Sequence, residues 1–275
     1  MFKKISILLI IILFLIIGFW SFYVESYNIQ IENLELKIKN LPSSFKDIKI
    51  VHLSDFHSKN FGKREKMVLE ILKELNPDFI FITGDIVDWS TRNFELIEPF
   101  WKGLAQNYAG RVFGVYGNHE HRNIKFKKLE NLLKESGIEI LKNESRKIEL
   151  NNNFIYLIGI DDPHENFDDL SRALKGLDSE STKILLAHSP EIFRKIKNQK
   201  LKIDLVLTGH THGGQINIPI LVELFIPLRL KFDRKYKKGL FNEDSILMYV
   251  NRGVAPSGIP FRFNCPPEIA LIKLY

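Results

Sequence analysis

Five short motifs follow one another along the chain: Asp55-Phe56-His57, Gly84-Asp85, Gly117-Asn118-His119-Glu120, Ala187-His188 and Gly209-His210-Thr211-His212. Their chemistry-bearing side chains are carboxylates, one amide and imidazoles, with no thiolate among them. Such a donor set suits Mn, Fe, Zn, Co or Mg in five or six coordination, whereas a structural tetrahedral zinc site favours sulfur. Two divalent ions about 3.5–4 Å apart, sharing a carboxylate, can bind a phosphate, lower the pKa of a shared water and stabilise both the attacking and the leaving oxygen. Each fragment alone is a weak signal. Together, each placed directly after an apolar run of strand length, they spell out a two-metal site able to cut a phosphate ester.

The elements that must position these residues alternate. Apolar runs of strand length precede amphipathic runs of helix length, the signature of an α/β domain. Strands are expected over Ile48–Leu53, Phe79–Thr83, Val112–Tyr116, Phe154–Ile160, Ile184–Ala187 and Leu205–Thr208. Helices are expected over Glu65–Leu75, Phe94–Ala105, Phe126–Glu135, Asp168–Leu177 and Glu191–Lys197. The first of these helices should stop at Asn76-Pro77, since proline cannot continue it. In open α/β sheets ligands gather beyond the carboxyl ends of the strands, and all five motifs sit at such ends. Residues distant in sequence could then meet in one cleft.

Upstream lies a different kind of segment. From Ile5 to Val24 no side chain is charged, and the run closes on Trp20, Phe22 and Tyr23. About twenty helical residues span about 30 Å, the thickness of a bilayer's hydrocarbon core, and the aromatic end suits the interface. The run is longer than a signal peptide's apolar region and no small-x-small cleavage site follows it, so an uncleaved anchor is expected. The division is therefore residues 1–25 as anchor and 26–275 as one domain. Lys3 and Lys4 argue for an amino terminus inside the cell and an extracytoplasmic domain in a single-pass membrane protein, against the weaker pull of Lys37 and Lys39.

Composition narrows the partners. The 275 residues carry a formal net charge of +6, which favours anionic ligands without choosing between phosphorylated molecules, acidic lipids and nucleic acid. No nucleic-acid module is evident, so no nucleic-acid partner is expected. The single cysteine, Cys265, excludes an intrachain disulfide and reads as a small buried apolar residue.

The motif set resembles that of the calcineurin-like metallophosphoesterases. Gly209-His-Thr-His-Gly-Gly-Gln215, Gly159-Ile-Asp-Asp-Pro163 and Arg262-Phe-Asn-Cys-Pro-Pro-Glu268 make it similar to their membrane-anchored bacterial branch, the YaeI/YkuE type. The resemblance covers nearly everything from Ile48 onward. It implies an αββα sandwich of two central sheets and two metal ions, manganese favoured. One ion would be held by Asp55, His57 and His212, the other by Asn118, His188 and His210, with Asp85 bridging. It also implies that His119 is no ligand but faces the scissile phosphate, a catalytic residue protonating or stabilising the leaving oxygen, while Glu120 orients it.

Other candidates have simpler readings. His52, inside a strand, is expected to be a buried hydrogen-bonded side chain, and His121 and His164 loop residues near the cleft. Ser189 lacks the setting of a nucleophile elbow. Asp161-Asp162-Pro163 reads as a turn, and Asp88 as a turn cap. Residues 216–238, apolar and then basic, read either as core strands with a basic turn or as a lip meeting anionic lipid.

The combined expectation is a membrane-anchored phosphohydrolase, a phosphodiesterase attacking through a metal-bridging hydroxide, with a phosphoester substrate that the lip reading makes lipid-linked. Two alternatives stand beside it: a pyrophosphatase of the UDP-diacylglucosamine type from lipid A synthesis, which would work at the cytoplasmic face, and a non-catalytic scaffold of the same fold. Oligomeric state is left open.

Overall fold

The computed structural model describes residues 2–217 and 235–275. Most of the 216–238 segment, including Arg229, Lys231 and Arg234, lies outside the described residues. The chain begins with helix α1 (Phe2–Phe19), continued by a π-helical stretch Trp20–Val24 and a 3-10 turn Glu25–Tyr27. Its apolar side chains, among them Ile7, Leu9, Phe14 and Leu15, are exposed, and the helix is long and apolar enough to cross a membrane.

Then follow β1 (Gln30–Leu36), β2 (Lys49–Leu53), α2 (Lys63–Leu75), β3 (Phe79–Thr83), α3 (Glu98–Asn107), β4 (Val112–Val115), α4 (Asn118–His121), α5 (Phe126–Ser136) and β5 (Glu139–Ile140). The second half contributes β6 (Glu144–Leu150), β7 (Asn153–Gly159), α6 (Leu170–Ala173), β8 (Lys183–Leu186), α7 (Ile192–Asn198), β9 (Leu205–Thr208), β10 (Gly239–Glu243), β11 (Ile246–Val250) and β12 (Glu268–Leu274). Two mixed six-stranded sheets result, ordered β1-β12-β2-β3-β4-β5 and β10-β11-β9-β8-β7-β6.

Alternation along the strands explains the layering. Phe81 of β3 joins Ile184 and Leu186 of β8 and Leu205 and Leu207 of β9 in one core between the sheets. Ile80 and Ile82 face the other way, onto Val68, Leu72, Trp101, Leu104 and Leu133 from α2, α3 and α5. Leu185 and Val206 likewise face outward, toward Ile192, Phe193 and Ile196 of α7. Successive side chains in a strand point to opposite faces, so strands buried on both faces read as continuous apolar runs. The fold is the αββα sandwich the resemblance implied, preceded by one apolar helix.

Two expected helices differ. The one over Phe94–Ala105 splits into a 3-10 turn Phe94–Leu96 and α3, because Pro99 has no N–H and suits only the first turn of a new helix. The one over Asp168–Leu177 shrinks to the four residues of α6, started by Asp169 accepting the Arg172 N–H and followed by Gly176 at φ +79. Helix α2 stops as expected, with Asn76 left-handed at φ 45 ahead of Pro77.

Candidate metal centre

The five motifs occupy the turns after β2, β3, β4, β8 and β9. The chain must reverse abruptly there, and Asp55, His57, Asp85, His210 and His212 all take positive φ, between 45 and 69. The motif glycines allow these turns to touch. A Cβ on Gly117 would collide with the Asp85 carboxylate, and one on Gly209 with Ser54 and Asp55.

All eight expected site residues come together. Single donor atoms of Asp55, His57, Asp85 and His212 lie within 4.8 Å of one another, as do those of Asp85, His188 and His210. Asp85 belongs to both groups. Asn118 Oδ1 stands 3.2 Å from His188 Nε2, and His119 Nε2 is 3.9 Å from Asp85 Oδ2.

In a neutral ring, the backbone partner fixes which nitrogen carries the proton. A carbonyl can only accept, so His188 donates from Nδ1 to the Thr83 oxygen at 2.8 Å, and its Nε2 is turned to the cluster. His212 donates from Nδ1 to the Ala255 oxygen at 2.9 Å and likewise turns a bare Nε2 inward. The Trp89 N–H donates to His119 Nδ1 at 3.2 Å, which places the His119 proton on Nε2. His57 Nδ1, 3.2 Å from that same acceptor, is then the donor, and His57 Nε2 is bare as well.

Lone pairs therefore face one another: His57 Nε2 is 3.1 Å from His212 Nε2, with no proton between them. Asp55 Oδ1, 3.2 Å from His212 Nε2, is buried without a hydrogen-bond partner. Converging lone pairs beside an unsatisfied buried carboxylate oxygen fit a divalent cation. Charge balance points the same way. Burial pushes His57 and His210 down to about 3. Burial opposes a charge on His188 too, but the Asp85 carboxylate beside it prevails and holds its proton affinity well above the ordinary value. A proton there does what a metal ion would do better.

Glu120 does not orient His119 through a hydrogen bond among the described residues. Its carboxylate accepts the backbone N–H groups of Asp85 (2.9 Å), Val87 (3.0 Å) and Gly117 (2.8 Å), stitching two motif loops together. Trp89 and Ala255, which orient His119 and His212, act through backbone atoms that no side-chain motif could reveal. Sequence reasoning also left Arg262 without a role. Its buried guanidinium donates to the carbonyls of Ala255 (2.6 Å), Arg252 (2.7 Å), Gly253 (3.1 Å), His212 (3.3 Å) and Cys265 (3.3 Å), gathering the loop that holds the His212 ring.

Most of the plainer candidates fall where expected, but His121 is the last residue of α4 and not a loop residue. His52 is buried, with Nε2 2.8 Å from Thr83 Oγ1. His121 meets Asp161 at 2.6 Å, and the His164 ring lies 4.7 Å from that of His210. Asp88 caps its turn by accepting the Ser90 N–H. Cys265 is a buried free thiol.

Comparison with known proteins gives a family. Residues 48–214 match the calcineurin-like phosphoesterases. The metallophosphoesterase YkuE of Bacillus subtilis is 29% identical over 257 residues, covering 92% of this chain and 87% of its own. A metallophosphoesterase of Aquifex aeolicus is 31% identical over 270 residues, covering 94% and 96%. A transmembrane protein with metallophosphoesterase domain from Danio rerio is 32% identical over 260 residues, 89% of this chain and 57% of that protein.

Proposed function

The chain belongs to the calcineurin-like phosphoesterase family, and from that premise we propose that it is a membrane-anchored phosphodiesterase dependent on two divalent ions, manganese favoured. Asp55, His57 and His212 would hold one ion and Asn118, His188 and His210 the other, with Asp85 shared. Bound there, such ions supply positive charge for the phosphoryl oxygens and a water of lowered pKa.

The remaining work belongs to the chain. The Thr83 and Ala255 carbonyls keep His188 and His212 turned inward as bare ligands. The Trp89 N–H keeps the His119 proton on Nε2, the nitrogen nearer Asp85, where it can hydrogen-bond the departing oxygen and stabilise its charge. A non-catalytic scaffold has no use for that arrangement. The observation carrying this reading is the meeting of bare His57 and His212 nitrogens beside the unpartnered Asp55 oxygen.

Residues 1–25 form the anchor in this reading and 26–275 the catalytic domain, held outside the cytoplasm by Lys3 and Lys4 ahead of the span. The test of activity is turnover of bis-p-nitrophenyl phosphate by purified protein. Manganese should be required, and His119→Ala should lower the rate by roughly 10²–10⁴. No turnover with any divalent ion would refute the enzyme and favour the scaffold.

A further inference from the structure

A groove of about 520 Å³ opens from the metal centre at His57 and runs past Lys59, Lys63, Arg64 and Trp89 to Tyr27. Tyr27 is the last residue of the apolar helical span. One cavity thus joins the reacting centre to the point where the chain enters its membrane helix.

The far wall of this groove carries Lys63 and Arg64, with Glu65 beside them. Lys63 Nζ sits 5.0 Å and Arg64 Cζ 5.2 Å from the centre of the Tyr27 ring. Among the described residues neither makes an ion pair with a carboxylate, and Arg64 Nε is buried without a hydrogen-bond partner. Lys59 differs, since it reaches Asp88 at 3.7 Å. Two cations held against an aromatic ring, neither closed into an ion pair among the described residues, form a seat for an external negative group.

The foot of the helix is locked to the chain just past the lining residues Gly258 and Pro260. Ser26 Oγ accepts the Arg262 N–H at 2.9 Å, a Glu25 carboxylate oxygen accepts the Cys265 N–H, and the Phe22 and Phe261 rings lie 4.7 Å apart. An 18-residue α1 with exposed apolar side chains extends about 27 Å, enough to occupy a hydrocarbon core. Trp20 and Tyr23 then mark the interface and Tyr27 lies just beyond it, at headgroup level. Trp89 and Ile259, each half exposed, add apolar surface near the groove, Ile259 lying between the lining residues Gly258 and Pro260.

Resting on the phosphodiesterase reading, we infer that the substrate is an anionic phosphodiester lipid of the same bilayer, whose head group enters this groove while its acyl chains stay in the membrane, and that Lys63 and Arg64 select it. A lipid presented in this way need not be extracted into water, which removes the largest cost of bringing it to a protein site. The reaction adds water to phosphorus and breaks the bond from phosphorus to the leaving oxygen. That oxygen accepts a hydrogen bond from His119 Nε2 and takes the proton that the attacking water releases, yielding a phosphomonoester and an alcohol.

The test uses the full chain in phosphatidylcholine vesicles containing phosphatidylglycerol. Its kcat/KM is compared with those for deacylated glycerophosphoglycerol and for bis-p-nitrophenyl phosphate. The lipid should be the best substrate of the three. In Lys63→Gln/Arg64→Gln, which keeps side-chain bulk, the ratio of lipid to bis-p-nitrophenyl phosphate turnover should fall about 25-fold, a factor of about five for each basic residue at an anionic surface. An unchanged ratio, or a deacylated diester cleaved as well as the lipid, would overturn the inference while leaving the phosphodiesterase intact. Absence of turnover on bis-p-nitrophenyl phosphate would instead overturn the enzymatic reading. A readout free of turnover accompanies it: with metals chelated, a photoactivatable phosphatidylglycerol should label peptides carrying Lys63 or Trp89, and labelling confined to α1 would refute the seat.

Discussion

Arg262→Met isolates the support behind one metal ligand. The guanidinium makes five hydrogen bonds to carbonyls beside a 3.4 Å contact with His212 Nδ1, and the two shortest are 2.6 Å to Ala255 and 2.7 Å to Arg252. Bonds from a charged donor contribute about 1.5–3 kcal/mol each, so this pair is worth about 3–6 kcal/mol. Methionine is spared the cost of burying a cation, which burial already expresses by pushing Arg262 down to about 10. The net loss should therefore lie near the lower end, about 3 kcal/mol, or roughly 6–12 °C in Tm for a domain of this size. A second effect follows from position. Ala255 O is bonded both to Arg262 and to His212 Nδ1, so freeing that carbonyl releases the ring. Loss of a group that orients a metal ligand typically costs 10–100-fold in affinity. Thermal unfolding in chelator would read the first effect and calorimetric titration with manganese the second. Arg262→Lys, with one charge and fewer donors, should recover part of each. An unchanged Tm would refute the hydrogen-bond account, and a lowered Tm with unchanged manganese affinity would show that the loop alone positions His212.

Three further outcomes follow from the same geometry. Glu120→Gln must turn an amide donor toward at least one of the three N–H groups its carboxylate accepts, leaving it unpaired. Stability should fall by about 1–3 kcal/mol in a denaturant titration, and an equal or raised midpoint would count against the stitching role. His164 is held above its ordinary value of 6.5, first by the Glu191 carboxylate 3.8 Å from its Nδ1. The pair's contribution is thus present below pH 6.5 and lost as pH rises through the shifted value, worth about 0.2–1 kcal/mol because both groups are partly exposed. An NMR titration should show the His164 midpoint dropping in Glu191→Gln, and no movement would refute the pairing. Protease added to intact cells should cleave the domain if it is extracytoplasmic, and complete protection would reverse the topology.

What the sequence reveals about this fold depends on how local the cause is. Strands β3 and β9 are legible to the residue because each is a short apolar run ending in a threonine and closed by a turn. Strand β1 is not, because what makes it a strand is pairing with β12 at the opposite end of the chain, Gln30 beside Glu268. Strand β6 hides for another reason: its Glu144, Arg146, Lys147 and Glu149 suit an exposed edge and carry no apolar signal. At the site, ligand types are legible and their supports are not. The atoms that orient His119, His188 and His212 are a backbone N–H and two carbonyls, which any residue could supply.

The ligand types themselves reflect two requirements at once. Five of the seven expected ligands sit at positive φ, where a bulky or β-branched side chain is strained and where Asp, Asn and His are tolerated better than most residues. Abrupt turns after the strands are what let donors from five loops meet, so each position must both accept a left-handed backbone and offer an oxygen or nitrogen. Glutamate and cysteine also offer donors, but Glu lacks the short side chain that bonds its own backbone in this conformation. A motif written in Asp, Asn and His is thus as much a statement about the turn as about the metal, which explains why those motifs locate strand ends as reliably as they locate chemistry.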